Sequence, residues 1–444
     1  MKNPYGRQIL VYPSCVAVNQ SPMQIGVFHP GTQHSWQTAL ALQQLGRLEW
    51  YATSIFYQPD LWPYRLERLL PGRLGDRLHR EFSRFSQPAL DPRLVRTSGM
   101  AEWAERIAAR AGLHRMAQQI DRLGNRRFVG KLAQQMRSDR AFALWGYNGS
   151  SRSSFELARQ LGRPTILDRT IGDPRSYNVA MAALQDRYGE WFLETERAIL
   201  AAAIADDQAE YELADAIVVG SEYAAATVRE HGGVQIAAKV RVLPYCYDEA
   251  LFGTQPPPQE VPRDGPLRFL FIGVANPRKG FHHLLEAIAR IPRSAAELTI
   301  VGDLRVPRQV FARYADRVNY IPTVPRSAIP QIMADHHVLV FPSYFEGSAL
   351  SLIEALASGL AVIQTRASGN GATPDCGIVL DHPDTDALHG AMMAAIDARD
   401  KLDSWRHAAQ SEAAKYTFAN YRSNIAALLS DLGLDAAPTL AGNA

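Results

Sequence analysis

The sequence predicts an α/β protein built from two doubly wound parallel-sheet domains. Short apolar runs recur along the chain, and amphipathic stretches of about 10–15 residues separate them, which is the pattern of strands alternating with helices. Such alternation gives parallel sheets with helices on both faces. It occurs twice, and the two series are separated by GTQPPPQEVPRDGP, a stretch dense in proline and without periodicity. We therefore expect two similar domains.

Each series supplies its own set of strands. In the first series, strands are predicted in MQIGVFHPG, LEWYATSIFY, AFALWGYNG, PTILDRT, AIVVGS and VRVLPYCYD. In the second, they are predicted in LRFLFIG, ELTIVG, VNYIP, VLVFPS, AVIQT and GIVLD. Ligands of such sheets bind outside the carboxyl ends of the strands, so the turns after these runs are the places to look for chemistry.

The length of 444 residues exceeds what a single core usually organises. We place the first domain at residues 1–247, with an arginine-rich helical region at 61–140 inside it. A proline-rich linker at 248–266 joins it to the second domain at 267–415, and a closing helix and tail occupy 416–444.

Composition indicates a protein of the reducing cytoplasm. The chain is 47% hydrophobic and 21% charged, with a net charge of +2. Its three cysteines, Cys15, Cys246 and Cys376, are too few and too widely spaced to predict a disulfide framework or a metal site. The first twenty residues lack the apolar core of a signal peptide, and no apolar run approaches the ~20 residues of a membrane span. If the protein works at a membrane, we expect it to lie on the surface.

The near-neutral total hides a basic segment. Residues 61–140 contain 17 Arg plus Lys against 8 Asp plus Glu, with apolar residues at helical spacing between them. One reading is a set of solvated helices, and the other is a surface for anionic lipid headgroups or phosphorylated acceptors. Nucleic acid is a weaker candidate because no recognisable binding module accompanies the charge.

Two turns carry the candidate chemistry. In FIGVANPRKGF a strand is predicted to end at Gly273, and Arg278 and Lys279 stand beside the start of a helix near Gly280. Free amides, a positive helix end and a lysine suit a phosphate. In FEGSALSLIE a second helix is predicted to begin at a turn, with Ser348 as its N-cap. This second helix end is expected to offer the amides of Ser348, Ala349 and Leu350.

Two glutamates lie in that second segment, eight residues apart. Glu346 precedes the predicted helix, and Glu354 lies within it on a narrow polar stripe with Ser351 and Ser358. The stripe is either an ordinary solvated face or a surface that meets a polar ligand. Two anion-binding helix ends favour a diphosphate, and carboxylates beside it suit the neutral hydroxyls of a sugar and a ribose. This combination of groups describes a nucleotide sugar.

At these residues the sequence resembles the retaining GT-B glycosyltransferases of family GT4. Glu346 and Glu354 match its E-x7-E motif, and GVANPRKGFHHLLEAI is similar to its donor-diphosphate loop. The resemblance spans most of the second domain and only the edges of the first. It implies that Lys279 binds the donor diphosphate, that Glu346 binds hydroxyls of the donor sugar and that Glu354 binds hydroxyls of the ribose. The donor-binding set that it implies is Gly273, Arg278, Lys279, Glu346, Gly347, Ser348, Ala349, Leu350 and Glu354, with Lys279 and Glu346 as the catalytic residues.

The sequence departs from the family pattern at several positions. Val274 stands where the family usually has arginine, and we expect Arg278 to supply that charge from the other side of the loop. Cys246 replaces the usual glycine of PYGVD. Tyr147 and Asn148 stand where a histidine is usual after the strand AFALWGYNG. On the acceptor side Gly31 and His34 follow the first strand, although a lone histidine is more often structural than catalytic.

The resemblance implies front-face attack, in which the departing diphosphate helps to remove the acceptor proton while Lys279 and helix amides stabilise its charge. No cofactor is expected, and no Asp-x-Asp cluster lies in a suitable loop for a metal. The expected partners are a nucleotide-diphosphate sugar, a glycan or lipid-linked acceptor and an anionic membrane surface on the cytoplasmic side. The alternatives are a phosphorylase or epimerase of the same fold, and a non-catalytic partner protein that binds an anionic ligand.

Overall fold

The computed structural model of the chain describes residues 22–31, 34–70, 72–83, 85–97, 103, 128–194, 198–253 and 256–435. Two wholly parallel sheets organise these residues, which confirms the predicted fold class. Each sheet is covered by helices, as the alternation of strands and helices requires.

The first sheet has the strand order β3-β2-β1-β4-β5-β6-β7. Its strands are β1 Gln24–His29, β2 Leu48–Thr53, β3 Val95–Thr97, β4 Phe142–Tyr147, β5 Thr165–Arg169, β6 Ala216–Val219 and β7 Val240–Val242. The helices are α1 Ser35–Gln44, α2 Leu66–Leu69, α3 Arg73–Ser83, α4 Arg152–Gln160, α5 Pro174–Tyr188, α6 Ala201–Leu213, α7 Glu222–Lys239 and α8 Glu249–Phe252. Residues 128–136 are also helical.

The second sheet has the strand order β10-β9-β8-β11-β12-β13. Its strands are β8 Leu267–Ile272, β9 Ala296–Val301, β10 Asn319–Ile321, β11 Val338–Phe341, β12 Ala361–Thr365 and β13 Gly377–Leu380. The helices are α9 Phe281–Ala289, α10 Arg308–Ala312, α11 Ile329–Ala334, α12 Leu350–Ala357, α13 Thr385–Asp397, α14 Arg399–Ala413 and α15 Phe418–Asp431.

The order of each sheet reverses once, and this reversal positions the site. In the first sheet the chain changes direction between β1 and β4, and in the second between β8 and β11. Ligands of open parallel sheets bind at such switch points, beyond the carboxyl ends of the strands. The residues that follow β1, β8 and β11 include all the candidate site residues of the sequence.

A strand lies inside the region predicted to be arginine-rich and helical, residues 61–140. Val95–Thr97 form β3, the edge strand of the first sheet, paired in parallel with β2. A strand of three residues with one buried side chain carries almost no period-2 signal, so it could not be found from the sequence.

Two segments of the chain cross between the domains. Tyr421 and Ile425 of α15 are buried in the hydrophobic core of the first domain, and the Tyr421 hydroxyl lies 2.8 Å from Oγ1 of Thr38 in α1. In the other direction, Trp191 is buried in the core of the second domain. The closing helix therefore stabilises the first domain although it follows the second.

The linker is held against the second domain. Arg406 of α14 is buried and donates to the carbonyl oxygens of Gln259 and Gly359, and the amide of Val261 donates to Asp403 at 2.8 Å. Val261 is itself buried in the core of the second domain. These contacts order a segment that its proline content alone predicts to be irregular.

Asp168 at the end of β5 is a carboxyl group buried in the first domain. Its Oδ2 atom accepts a hydrogen bond from Nε1 of Trp145 at 3.2 Å, and Oδ1 has no partner among the described residues. Burial raises the pKa of Asp168 to about 7, against the smaller opposing effect of the Trp145 hydrogen bond. The folded state therefore holds a proton that the unfolded chain releases.

This predicts a falling stability with rising pH. Because the folded-state pKa is about 7 and the ordinary value is 3.8, the free energy of unfolding should fall as pH rises between these values and level off above them. Asp168→Asn should remove this contribution to the slope, which amounts to a few kcal/mol because one pKa unit corresponds to about 1.4 kcal/mol. Urea unfolding at pH 4.5 and pH 8 measures it, with the surface exchange Asp303→Asn as control. Equal slopes in the parent and in Asp168→Asn would contradict the assignment.

Candidate functional site

The loop after β8 and the turn after β11 lie side by side because β8 and β11 are neighbours in the sheet. Gly280 sits between them with φ of 66°, and a Cβ at this position would collide with the carbonyl oxygen of Pro342. Glycine is therefore required both by the left-handed backbone and by the close approach. The predicted helix start near Gly280 is confirmed, since Gly280 is the N-cap of α9.

An ion cluster joins the two turns. The Glu346 carboxylate accepts from Arg278 at 2.7 Å, from Lys279 at 2.9 Å and from the Ser343 hydroxyl at 3.1 Å, all through Oε1. The Lys279 ammonium also lies 4.3 Å from the ring centroid of Phe341. The structure therefore brings together three residues that the sequence placed in two separate motifs.

The charges in this cluster hold one another ionised. Burial disfavours the charged form of Glu346, but Lys279 and Arg278 together keep its pKa below the ordinary value. Burial lowers the pKa of Lys279, and Glu346 opposes that shift. With two cations and one carboxylate, the cluster carries one unpaired positive charge in a largely desolvated place. Such a site attracts an anion more strongly than a surface lysine does.

Glu354 has a different partner, one that the sequence analysis missed. Its Oε1 atom accepts from Nη2 of Arg326 at 2.6 Å, and its side chain is only 7% exposed. Burial raises the pKa of Glu354 to about 7, and the nearby Arg326 charge opposes this shift. Arg326 lies in the turn between β10 and α11. Its pairing with a residue 28 positions later is a tertiary contact that local sequence does not reveal. The reading of the stripe as a solvated face is wrong, because Glu354 and Ser358 are both buried.

The helix end after Glu346 differs from the prediction. Helix α12 begins at Leu350 with Ala349 as N-cap, and no side chain caps it, so Ser348 is not the N-cap. The Ala349 amide donates to the carbonyl oxygen of Ser368 at 3.1 Å and is therefore not free for an anion. The neighbouring loop 366–369, which follows β12, supplies this acceptor, and local sequence does not reveal it.

Gly347 and Gly273 are placed by close packing. A Cβ at Gly347 would collide with the carbonyl oxygen of Thr170, and the Ser221 hydroxyl donates to the Gly347 carbonyl, so this turn touches the first domain. Gly273 lies directly beyond β8, beside the Lys279 side chain, and an added Cβ would reach Cε of Lys279 at 3.6 Å.

A cavity of about 300 Å³ lies between Arg326 and the first domain. His34, Trp36, Phe56 and Phe85 line it from the first domain, and Asp248, Arg326 and Leu350 line it from the other side. The Arg326 that pairs with Glu354 therefore also faces the space in front of His34. The cavity has an aromatic wall and a charged wall.

His34 and Gly31, the residues expected on the acceptor side, both follow β1, and each has its own packing. The His34 ring packs against the Tyr245 ring at 4.6 Å between centroids, and burial with the nearby Arg326 charge lowers its pKa to about 4. The Gly31 amide donates to Nδ1 of His29 at 2.8 Å. At neutral pH His34 is therefore an uncharged side chain on the cavity wall.

The residues in place of the family histidine have structural partners. The Tyr147 hydroxyl is buried and lies 2.8 Å from Oγ1 of Thr38, and Asn148 accepts from the Thr170 amide at 3.0 Å. Val274 is 40% exposed, and Arg278 stands within the ion cluster. Among the described residues no group of three or more His, Cys, Asp or Glu side chains could hold a metal ion. In the same part of the chain no helix is long and apolar enough to cross a membrane.

Two parallel α/β domains whose switch points face one another define the GT-B class of fold. HepE from Anabaena, solved in complex with UDP, superposes with a TM-score of 0.57 over 92% of this chain and 100% of that one, at 15% identity. Residues 255–412 match the family model described as glycosyl transferases group 1. This part of the chain, the second domain with the end of the linker, is therefore similar to that family, in the region where the motifs resemble it.

Two curated relatives are similar to this chain over part of its length. O-antigen chain mannosyltransferase B of Escherichia coli is 28% identical over 150 residues, which is 32% of this chain and 38% of that protein. MMP alpha-(1->4)-mannosyltransferase of Mycolicibacterium hassiacum is 29% identical over 180 residues, which is 37% of this chain and 41% of that protein. The matched part thus spans about two fifths of each relative.

Proposed function

We propose that the protein is a retaining glycosyltransferase. It moves a sugar from a nucleotide-diphosphate sugar to a glycan or lipid-linked acceptor in envelope or exopolysaccharide biosynthesis. The observation that carries this proposal is the ion cluster of Arg278, Lys279 and Glu346 at the switch point of the second sheet. A buried cluster with an unpaired positive charge, beside a carboxylate, suits a diphosphate that bears a sugar.

We assign a separate role to each of the charged groups. Lys279 is fixed by Glu346 and by the Phe341 ring, so its charge is oriented before any ligand arrives. Fixed charge in a desolvated site stabilises a leaving diphosphate without reorganisation at the moment of bond cleavage. Glu346 stands beside Lys279 and is placed for the hydroxyls of the transferred sugar. Glu354 and Arg326 form the second polar contact, for the ribose.

The comparisons support the substrate class. HepE was solved with UDP, and one curated relative is an O-antigen chain mannosyltransferase. A thermal-shift panel of nucleoside diphosphates and nucleotide sugars tests binding, since a ligand at about 100 times Kd adds about 2.7 kcal/mol. Radiolabelled sugar transfer from the best donor then separates an enzyme from a non-catalytic partner protein. No shift with any member of the panel would contradict the proposal.

Lys279→Ala should lower kcat/KM by about 10²-fold or more, the scale of losing one oriented electrostatic contact. Arg278→Ala should cost less, unless Arg278 replaces the arginine missing at Val274. Steady-state kinetics with the best donor measure both. Arg305→Ala is the matched control, because Arg305 follows the neighbouring strand β9 but is 58% exposed and pairs with Asp303. Near-normal turnover of Lys279→Ala would show that the loop after β8 takes no part in the reaction.

The two glutamates should respond differently to substitution. Glu354→Ala should weaken the binding of a nucleoside diphosphate and of the corresponding nucleotide sugar alike, by the ~1.5–3 kcal/mol of a hydrogen bond to a charged group. Glu346→Ala should leave the bare diphosphate bound as well as before, because its loss frees Lys279 and Arg278, and it should lower turnover of the sugar-bearing donor.

Calorimetry with UDP and UDP-glucose, together with kinetics, measures this difference. Ser351→Ala, on the same helix as Glu354, is the control. Equal losses of UDP affinity in both glutamate variants would contradict the division of roles.

We also propose that the enzyme works in the cytoplasm, on the inner face of the membrane. Ten large hydrophobic side chains are strongly exposed among the described residues, and five of them lie within residues 61–74: Leu61, Trp62, Leu69, Leu70 and Leu74. Helix α3 overlaps the end of this segment, and its exposed arginines Arg73, Arg77 and Arg80 stand at positions that share one face of the helix. Apolar side chains beside arginines suit an anionic lipid surface.

Vesicle binding should therefore require anionic lipid and weaken as salt rises, since each basic residue near the surface contributes about 1 kcal/mol. Replacing Arg73, Arg77 and Arg80 together by glutamine should reduce binding at least 10-fold in co-sedimentation. The control replaces Arg293, Arg305 and Arg313 of the second domain, which are comparably exposed. Equal binding to neutral vesicles, or equal losses in both triple variants, would reject the membrane surface.

A further inference from the structure

A chain of hydrogen bonds runs behind the turn at residues 343–347. The Tyr344 hydroxyl lies 2.6 Å from Nε2 of His283, and Nδ1 of His283 lies 2.7 Å from Oγ1 of Thr385. The Thr385 hydroxyl in turn donates to Oε2 of Glu286 at 2.8 Å. His283 is buried in α9, the helix that begins directly after the Lys279 loop.

The number of available protons fixes which group donates and which accepts in each of these hydrogen bonds. Thr385 has one hydroxyl proton and gives it to Glu286, so its oxygen can only accept from the Nδ1–H group of His283. Burial lowers the pKa of His283 to about 4, so the neutral ring has a single proton at pH 7. Nε2 is then an acceptor, and Tyr344 donates its hydroxyl proton to it.

Tyr344 is the residue at which the two turns and the two domains meet. Its amide donates to the carbonyl oxygen of Arg278 at 2.8 Å, and its carbonyl accepts from the Tyr223 hydroxyl of the first domain at 3.1 Å. Glu346 follows two residues later in the same turn. A change in the position of Tyr344 therefore moves the carboxylate that bridges Arg278 and Lys279.

We propose that His283 is a positioning residue for sugar transfer. By accepting the Tyr344 hydroxyl, it holds the turn that carries Glu346 against the loop that carries Lys279. This inference rests on the proposed transferase function and adds to it a residue that acts through Tyr344 rather than on the donor.

The adjacent histidine provides a matched control. His282 lies in the same helix and is equally buried, but its two ring nitrogens have no hydrogen-bond partner among the described residues. Its ring makes only packing contacts, with Tyr188 at 4.3 Å, with His283 at 4.1 Å and with Tyr344 at 6.0 Å between centroids. Replacing His282 disturbs the packing of the same region without removing the bond to Tyr344.

The kinetic test compares four single variants in the full chain, each checked for folding by thermal unfolding. His283→Leu and Tyr344→Phe should each lower kcat about 10-fold, the scale of one lost hydrogen bond, while the Kd of UDP changes less than about twofold. Their double variant should be no worse than either single one. His283→Gln should recover activity because its amide oxygen can accept from Tyr344, and His282→Leu should retain kcat.

A spectroscopic test detects the hydrogen bond between Tyr344 and His283 without measuring sugar transfer. In protein labelled with nitrogen-15 histidine, His283 should show the neutral tautomer protonated at Nδ1, and Tyr344→Phe should shift its Nε2 resonance. Where His283→Leu fails to fold, Tyr344→Phe alone carries both tests.

The outcomes separate the two proposals. Unchanged kcat in Tyr344→Phe, an equal loss in His282→Leu, or a ring protonated at Nε2 would overturn the positioning role while the parent still transfers sugar. A parent that transfers sugar from no donor contradicts the proposed function, and the positioning role with it.

Discussion

The bond on which the site depends is the one that the Glu346 carboxylate makes across two turns. Among the described residues, this carboxylate is the only one that forms ion pairs with both Arg278 and Lys279. Its turn also accepts hydrogen bonds from Ser221 and Tyr223 of the first domain and from Arg278 of the second. Two cations without this carboxylate would repel each other in a desolvated place. With it they stay ionised and close together, and the cluster keeps one unpaired positive charge.

That constraint extends into the packing around the site. The loop of Lys279 and the turn of Glu346 approach so closely that Gly280 has no room for a side chain, and Gly347 is equally close to the first domain. Both turns are therefore set by backbone contacts before any side chain is oriented. The Tyr344 hydroxyl is bonded to His283, and Arg326 faces the aromatic wall of the cavity. In the proposed function, a donor would therefore meet groups whose positions are already fixed.

The cores of the two domains are not independent. Helix α15 completes the first domain from the end of the chain, Trp191 enters the core of the second, and the linker lies along α14. These crossings restrict how the domains move relative to one another. A cavity between His34 and Arg326 is consequently a property of the whole chain rather than of either domain.

The sequence by itself determined the fold class, the strands of the second sheet and the two turns that carry the candidate chemistry. It could do so because strand–helix alternation, glycine-rich turns and the E-x7-E spacing are local patterns, and local patterns are read directly from the chain. The family match over residues 255–412 falls in the same region.

Tertiary structure decided which groups meet. Only the packed sheet shows that Glu354 faces Arg326, that Ser368 takes the Ala349 amide, and that Glu346 binds the cations of another turn. Each of these contacts joins residues far apart in sequence, and the neighbour order of strands sets which turns come together. The three-residue strand β3 was missed for the same reason, since it is a strand only because β2 lies beside it.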